Sequence, residues 1–268
     1  MSDLEERQND RCRLILTVGG HDPSAAGIQA DIETCAALGC LALSVVTALT
    51  TQNTAIVRKV IPSRPEDVRD QIRTVLDEFK PDACKIGLVP NPAIGAVIAD
   101  FLKNELKACP TVIDPVIRAG SGGSLASVDM IDALMSDLIP LAEVLTPNAG
   151  EVRALTSCED LEQGISRLRH TGCESVLVTD AKGEKKVLIN QLYISDEPPE
   201  RYEMKRLPGS YHGTGCTLAT AIACRRAAGL SIRDAVAQAQ EFVHGAVCGA
   251  HRFGASQAIP NRFARLSS

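Results

Sequence analysis

A chain of 268 residues suits one α/β domain better than two autonomous ones, and at that length a core forms without disulfide or metal staples. The net charge of −5 argues against a nucleic-acid-binding surface, and no apolar stretch approaches a membrane span. With 45% hydrophobic residues, 3% aromatics and no Trp, the core must be built from Ala, Val, Ile and Leu, which fits buried parallel strands.

Residues 1–12 are polar and charged, without the apolar run of a secretion signal, so a cytoplasmic location is expected. Residues 14–18 read as a strand ended by Gly19 and Gly20, and 27–38 as a helix stopped by Gly39. The β-branched run 43–49 predicts a second strand. A helix is predicted over 65–79, where Val68, Ile72, Val75, Leu76 and Phe79 recur at helical spacing. Strands are expected at 83–87, 111–113, 143–145 and 175–179, with helices at 92–106, 127–138 and 161–170 among them. Residues 185–206 read as an antiparallel edge, and helices 214–228 and 232–250 close the chain. This rhythm predicts a three-layer α/β/α fold, a mostly parallel central sheet flanked by helices. One domain, 13–254, would lie between the polar tail 1–12 and a C-terminal tail 255–268.

Ligands of such sheets bind beyond the carboxyl ends of the strands. The glycine-rich and polar segments 19–27, 50–54, 114–124, 146–151 and 208–217 fall there. Of the ten cysteines no two form a CxxC pair, and most lie in apolar runs, so they read as buried thiols. Cys216 differs. It sits in Ser210-Tyr211-His212-Gly213-Thr214-Gly215-Cys216-Thr217, directly before an Ala-rich helix. Glycines let the backbone approach a ligand, and the unpaired N–H groups of the helix start converge on one point. That is an anion hole suited to a transferring phosphoryl group, although a plain glycine turn before a helix reads equally well from these residues alone. No Gly-Lys dipeptide occurs, so a P-loop is excluded.

The segment His212-Gly213-Thr214-Gly215-Cys216-Thr217 resembles the anion-hole signature of hydroxymethylpyrimidine/phosphomethylpyrimidine kinases, ribokinase-like enzymes of thiamine biosynthesis. In the same order, Gly19-Gly20-His21-Asp22-Pro23-Ser24 with Gly27-Ile28-Gln29-Ala30-Asp31 resembles their first loop and helix. Residues 47–54 resemble their pyrimidine-binding strand, and Asp114-Pro115-Val116 and Thr146-Pro147-Asn148-Ala149-Gly150-Glu151 their nucleotide-proximal motifs. The resemblance runs from about 14 to 249. It implies a ribokinase-like fold and ATP- and Mg²⁺-dependent phosphorylation of a hydroxymethylpyrimidine, its monophosphate or both. Small molecules, pyrimidine and ATP, are the partners implied; a homodimer is left open.

The resemblance assigns Gly20, Asp31, Gln52, Leu88 and Val116 to the pyrimidine pocket. Gly213, Thr214, Gly215 and Cys216 become the catalytic turn, Asn148, Thr179 and Arg118 the ATP and phosphate contacts, and Glu151 and Asp114 the Mg²⁺ ligands. Read without it, Asp31 is a solvated acid in a helix's first turn, and Asn148 with Glu151 is a helix capping box. Cys216 stands where many relatives have an aspartate base. A helix N-terminus should lower its thiol below the usual value of about 8.5. The first loop is shorter than the family's, and Thr179-Asp180-Ala181-Lys182-Gly183 departs from its pattern. Two rivals stay in view: a pyridoxal kinase of the same superfamily, whose substrate also carries a hydroxymethyl group on a nitrogen heterocycle, and a catalytically silent pyrimidine-binding module, which these departures motivate.

Overall fold

The computed structural model describes residues 12–117, 127–195 and 197–264. Tail 1–12 thus falls outside apart from Cys12, and so does Arg118. In chain order the elements are β1 (Arg13–His21), α1 (Gly27–Ala37), β2 (Cys40–Gln52), β3 (Val57–Pro62), α2 (Pro65–Glu78), β4 (Ala83–Ile86), α3 (Pro92–Lys103) and β5 (Thr111–Ile113). They continue with α4 (Val128–Ala133), β6 (Val144–Leu145), α5 (Ala149–Thr156), α6 (Leu161–Arg169), β7 (Ser175–Val178), β8 (Val187–Ile194), β9 (Glu200–Lys205), α7 (Thr214–Ala227) and α8 (Ile232–Cys248). Helix starts follow local chemistry. Asn91 accepts a bond from Ile94 N at 3.0 Å ahead of Pro92, and Asp160 accepts one from Gln163 N at 2.8 Å.

The sheet order is β3-β2-β1-β4-β5-β6-β7-β8-β9. From β2 to β7 all neighbours are parallel, while β3 at one edge and β8 and β9 at the other run antiparallel. Successive strand residues point to opposite faces, so each central strand feeds two cores. Leu16, Cys84, Ile113, Leu145 and Val176 join the core under α2–α6. Ile15, Ala83, Val112, Val144 and Leu177 pack under α1, α7 and α8. The three layers expected from the sequence are present.

Three details differ from expectation. Strand β3 carries Arg58 and Lys59 on a solvent-facing edge, where charge discourages further pairing and hides the strand from a hydrophobic pattern. The helix expected over 127–138 is α4 only to Ala133, then widens into a π-helical turn (Leu134–Leu138). The stretch expected to be a C-terminal tail is packed as far as residue 264: Ala258 and Arg262 are buried, and Ala258 accepts a bond from His212 N at 2.8 Å. Among the described residues no helix is long and apolar enough to cross a membrane.

Candidate active site

A cleft of about 500 Å³ opens at the carboxyl ends of the parallel strands, a size that holds a small metabolite and part of a nucleotide. The turn before α7 forms one wall, because Gly213, Thr214, Gly215 and Cys216 all line it. Gly213 is the N-cap residue at φ +82° and supplies no side-chain cap, so the first amides of α7 are left for a ligand. A Cβ at Gly213 would stand 2.8 Å from Arg262 Nη2 and 3.0 Å from the Ala25 carbonyl oxygen, so only glycine fits. Behind the turn, Leu218 to Cys224 are all buried against the sheet, which fixes the direction of the amides.

Gly20, Gln52, Leu88 and Val116 line the same cleft near the ends of β1, β2, β4 and β5. A Cβ at Gly20 would come within 2.8 Å of Leu88 Cδ2, so the bare backbone lets the leucine close in. Gln52 donates to Thr50 Oγ1 at 2.9 Å, and Thr50 to the His21 carbonyl at 2.9 Å, which steadies the amide at the cleft edge.

Asp31 does not line the cleft, and this corrects both readings of it. The side chain is fully buried and takes bonds from Lys85 Nζ at 3.0 Å and from Thr220 Oγ1 at 2.7 Å. Lys85 lies in the cleft floor instead. Burial works against its ammonium, but Asp31, with Asp114, overcomes that and raises the pKa above the usual lysine value. Replacing Lys85 with Met leaves a buried unpaired carboxylate and should cost about 3–5 kcal/mol, read as a lower urea midpoint. The double variant Lys85→Met/Asp31→Leu should recover most of it; a single variant as stable as wild type contradicts the pairing.

Asp114, Glu151 and Cys216 form an ionisable cluster beside this floor. Burial pushes Glu151 up to about 8, helped by Asp114, against the bond it accepts from Asn148 N at 2.9 Å. Asp114 is raised to about 6 by burial, although Lys85 and a hydrogen bond from the Cys216 thiol pull the other way. The lowered Cys216 expected at a helix start is not found. Burial pushes the thiol up to about 12, Asp114 and Asp31 add to it, and Lys85 only partly compensates. Asn148 and Glu151 form a capping box on α5 and also line the cleft. Thr179 faces Asn148 in a parallel bridge and lines the cleft too.

The chain matches the family model described as Phosphomethylpyrimidine kinase over residues 22–261. It belongs to that family. A Hydroxymethylpyrimidine/phosphomethylpyrimidine kinase of Rhizobium meliloti is 36% identical over 254 residues, covering 91% of this chain and 94% of that protein. One from Escherichia coli is 35% identical over 244 residues, covering 88% and 91%. A chloroplastic thiamine biosynthetic bifunctional enzyme of Arabidopsis thaliana is 34% identical, covering 87% of this chain but 46% of that protein. Among solved structures, an ADP complex of Bacillus subtilis pyridoxal kinase superposes with a TM-score of 0.85 at 26% identity, covering 96% of this chain and 100% of that one. A phosphomethylpyrimidine kinase from Clostridium difficile gives 0.76 at 30% identity, covering 88% and 99%.

In this phosphomethylpyrimidine kinase family member the first loop is tied to the anion turn by a pair that the sequence did not reveal. His212 Nε2 meets Asp22 Oδ2 at 2.7 Å, and Asp22 accepts from Ser24 N at 2.7 Å and Ser24 Oγ at 2.6 Å. Burial opposes the Asp22 carboxylate, yet these donors hold it below the usual range. The apolar side of the cleft, Leu188, Met204, Leu207, Val243 and Val247, comes from β8, β9, the segment just after β9 and α8, and was also missed. These residues lie on separate elements, and nothing in their local sequence marks them.

Proposed function

We propose that the chain transfers a phosphoryl group from ATP to 4-amino-5-hydroxymethyl-2-methylpyrimidine, its monophosphate or both, in thiamine biosynthesis. One observation carries the reading: the amides at the start of α7 open between the Gly20–Gln52–Leu88–Val116 pocket and the Asn148–Thr179 side of one cleft. The pyrimidine would lie in the first, with the Gln52 amide offering donor and acceptor to its edge. ATP would enter over Asn148, Thr179 and the apolar β8–β9–α8 wall.

Asp114 and Glu151 are the residues that would hold Mg²⁺. Two buried carboxylates, each driven up in pKa, are a donor set that a divalent cation relieves. The ion supplies neutralisation of phosphate charge when bound. The anion turn stabilises charge on the transferring group, each donor being worth roughly 100–1000-fold in a dry site. Cys216 begins as a neutral thiol, so it would relay: the substrate hydroxyl hands its proton to Sγ as the S–H proton passes to Asp114. A phosphate nucleophile needs no such relay. Cys216→Ala should therefore slow phosphorylation of the alcohol by about 100-fold and that of the monophosphate much less, in single-turnover assays; equal slowing contradicts the relay.

The similarity to pyridoxal kinases keeps a second substrate in play, since pyridoxal also bears a hydroxymethyl group on a nitrogen heterocycle. Mass spectrometry of products from MgATP with each alcohol, followed in time, tests the reading. Pyrimidine monophosphate, then diphosphate, is expected. Preference for pyridoxal, or pyrimidine binding without ATP consumption, overturns it.

A further inference from the structure

We infer that Arg262, supplied by the C-terminal segment, is a positioning residue that holds the phosphate-gripping turn in register with the loop over the substrate pocket; this rests on the kinase reading above. The guanidinium is buried and addresses three elements at once. Its Nε donates to Thr217 Oγ1 at 2.9 Å, Nη2 to the Ala25 carbonyl at 2.9 Å and Nη1 to Glu33 Oε2 at 2.7 Å. Thr217 in turn donates to the Gly213 carbonyl at 2.8 Å, so the fork stands one bond away from the residue that opens the anion hole. It also packs directly against Gly213, where a Cβ would lie 2.8 Å from Nη2.

The surroundings favour a positioning role over space filling. Ala25 holds φ +73°, a conformation that an L-residue keeps only under external constraint, and the Nη2 bond is on its carbonyl. The segment that delivers Arg262 is itself tied to two other parts of the fold. Ala258 N donates to Ser210 O at 2.9 Å, and Asn261 N to Ala246 O at 2.9 Å. Glu33 is 40% exposed, so its ion pair is a weak reason to bury an arginine. What the planar fork does that an apolar side chain cannot is direct separate donors to the first turn of α7 and to the first loop. Those two segments carry the phosphoryl cradle and the substrate cover. A relative shift of about 1 Å between them is enough to cost on the order of 100-fold in rate.

The test uses the full chain with Arg262→Ala and Arg262→Lys, measuring thermal midpoint, kcat, and KM for ATP and the pyrimidine alcohol. Arg262→Ala should lose about 100-fold in kcat with both KM values within about threefold of wild type. Arg262→Lys should recover little, because an ammonium cannot reproduce the fork. Millimolar guanidinium should restore part of the Arg262→Ala turnover and leave wild type unaffected. A kcat within about twofold of wild type, or a loss matched by the unfolded fraction and untouched by guanidinium, overturns the role. Should Arg262→Ala not fold, Thr217→Val removes the Nε acceptor: a kcat-specific loss supports the role and an unchanged kcat overturns it. A wild-type protein that turns over neither alcohol overturns the kinase reading and this role with it. Active wild type beside an unimpaired variant overturns this role alone.

Discussion

Glu151→Gln is expected to lower turnover by about 10–100-fold while the melting temperature stays at or above the wild-type value. The two outcomes come from different properties of one side chain. As the third helical residue after Asn148, Glu151 accepts the Asn148 amide at 2.9 Å. Glutamine can make that bond equally well, since either residue completes a capping box. The change also removes a buried carboxylate that burial and Asp114 push up to about 8, an arrangement that disfavours the folded protein near neutral pH. Activity depends instead on the charge, which an amide does not carry to a cation or to phosphates. Kinetics and differential scanning calorimetry on the same preparation separate the two roles. Normal turnover in a folded Glu151→Gln variant would reduce the residue to a helix cap.

Gly213→Ala should abolish most phosphoryl transfer, by about 100–1000-fold in kcat, while pyrimidine binding is kept. The methyl group cannot be accommodated where it falls: Arg262 Nη2 at 2.8 Å, Ala25 O at 3.0 Å and Ala26 Cα at 3.2 Å already occupy the space, and φ is +82°. Relief requires the turn to rotate away from the first loop, which takes the amides of residues 213–216 off their common focus. The pocket lined by Gly20, Gln52 and Leu88 is built on β1, β2 and the end of β4, so calorimetric affinity for the pyrimidine should change little. A variant with intact kcat would show that the amides do not bear on the transferring group.

Local physics is what the sequence carries well. The short run of β5, buried on both faces, and the periodic faces of α2 and α6, buried on one, are legible because burial leaves its mark in the residues themselves. The turn before α7 is legible for a local reason too: Gly213 stands at φ +82°, which its own backbone requires. Asp31 is the opposite case. Its partner Lys85 lies 54 residues away and meets it only because β4 is placed beside β1, under α1 and α7. Asp22 and His212 are 190 residues apart, and Arg262 reaches Ala25 across 237. Topology makes these pairs, so each looks like an ordinary surface charge when read singly. Cys216 shows a competition of terms: the helix start favours a thiolate, but burial and two nearby carboxylates dominate and the thiol stays protonated.

The structure of a complex with MgADP, aluminium fluoride and the pyrimidine alcohol tests the central claim most directly. The planar fluoride mimics the phosphoryl group in flight, and its equatorial atoms should sit about 3 Å from the backbone nitrogens of residues 213–216, in line with the pyrimidine hydroxymethyl oxygen. A fluoride bound away from the start of α7, with those four amides turned to solvent or to protein carbonyls, would contradict it.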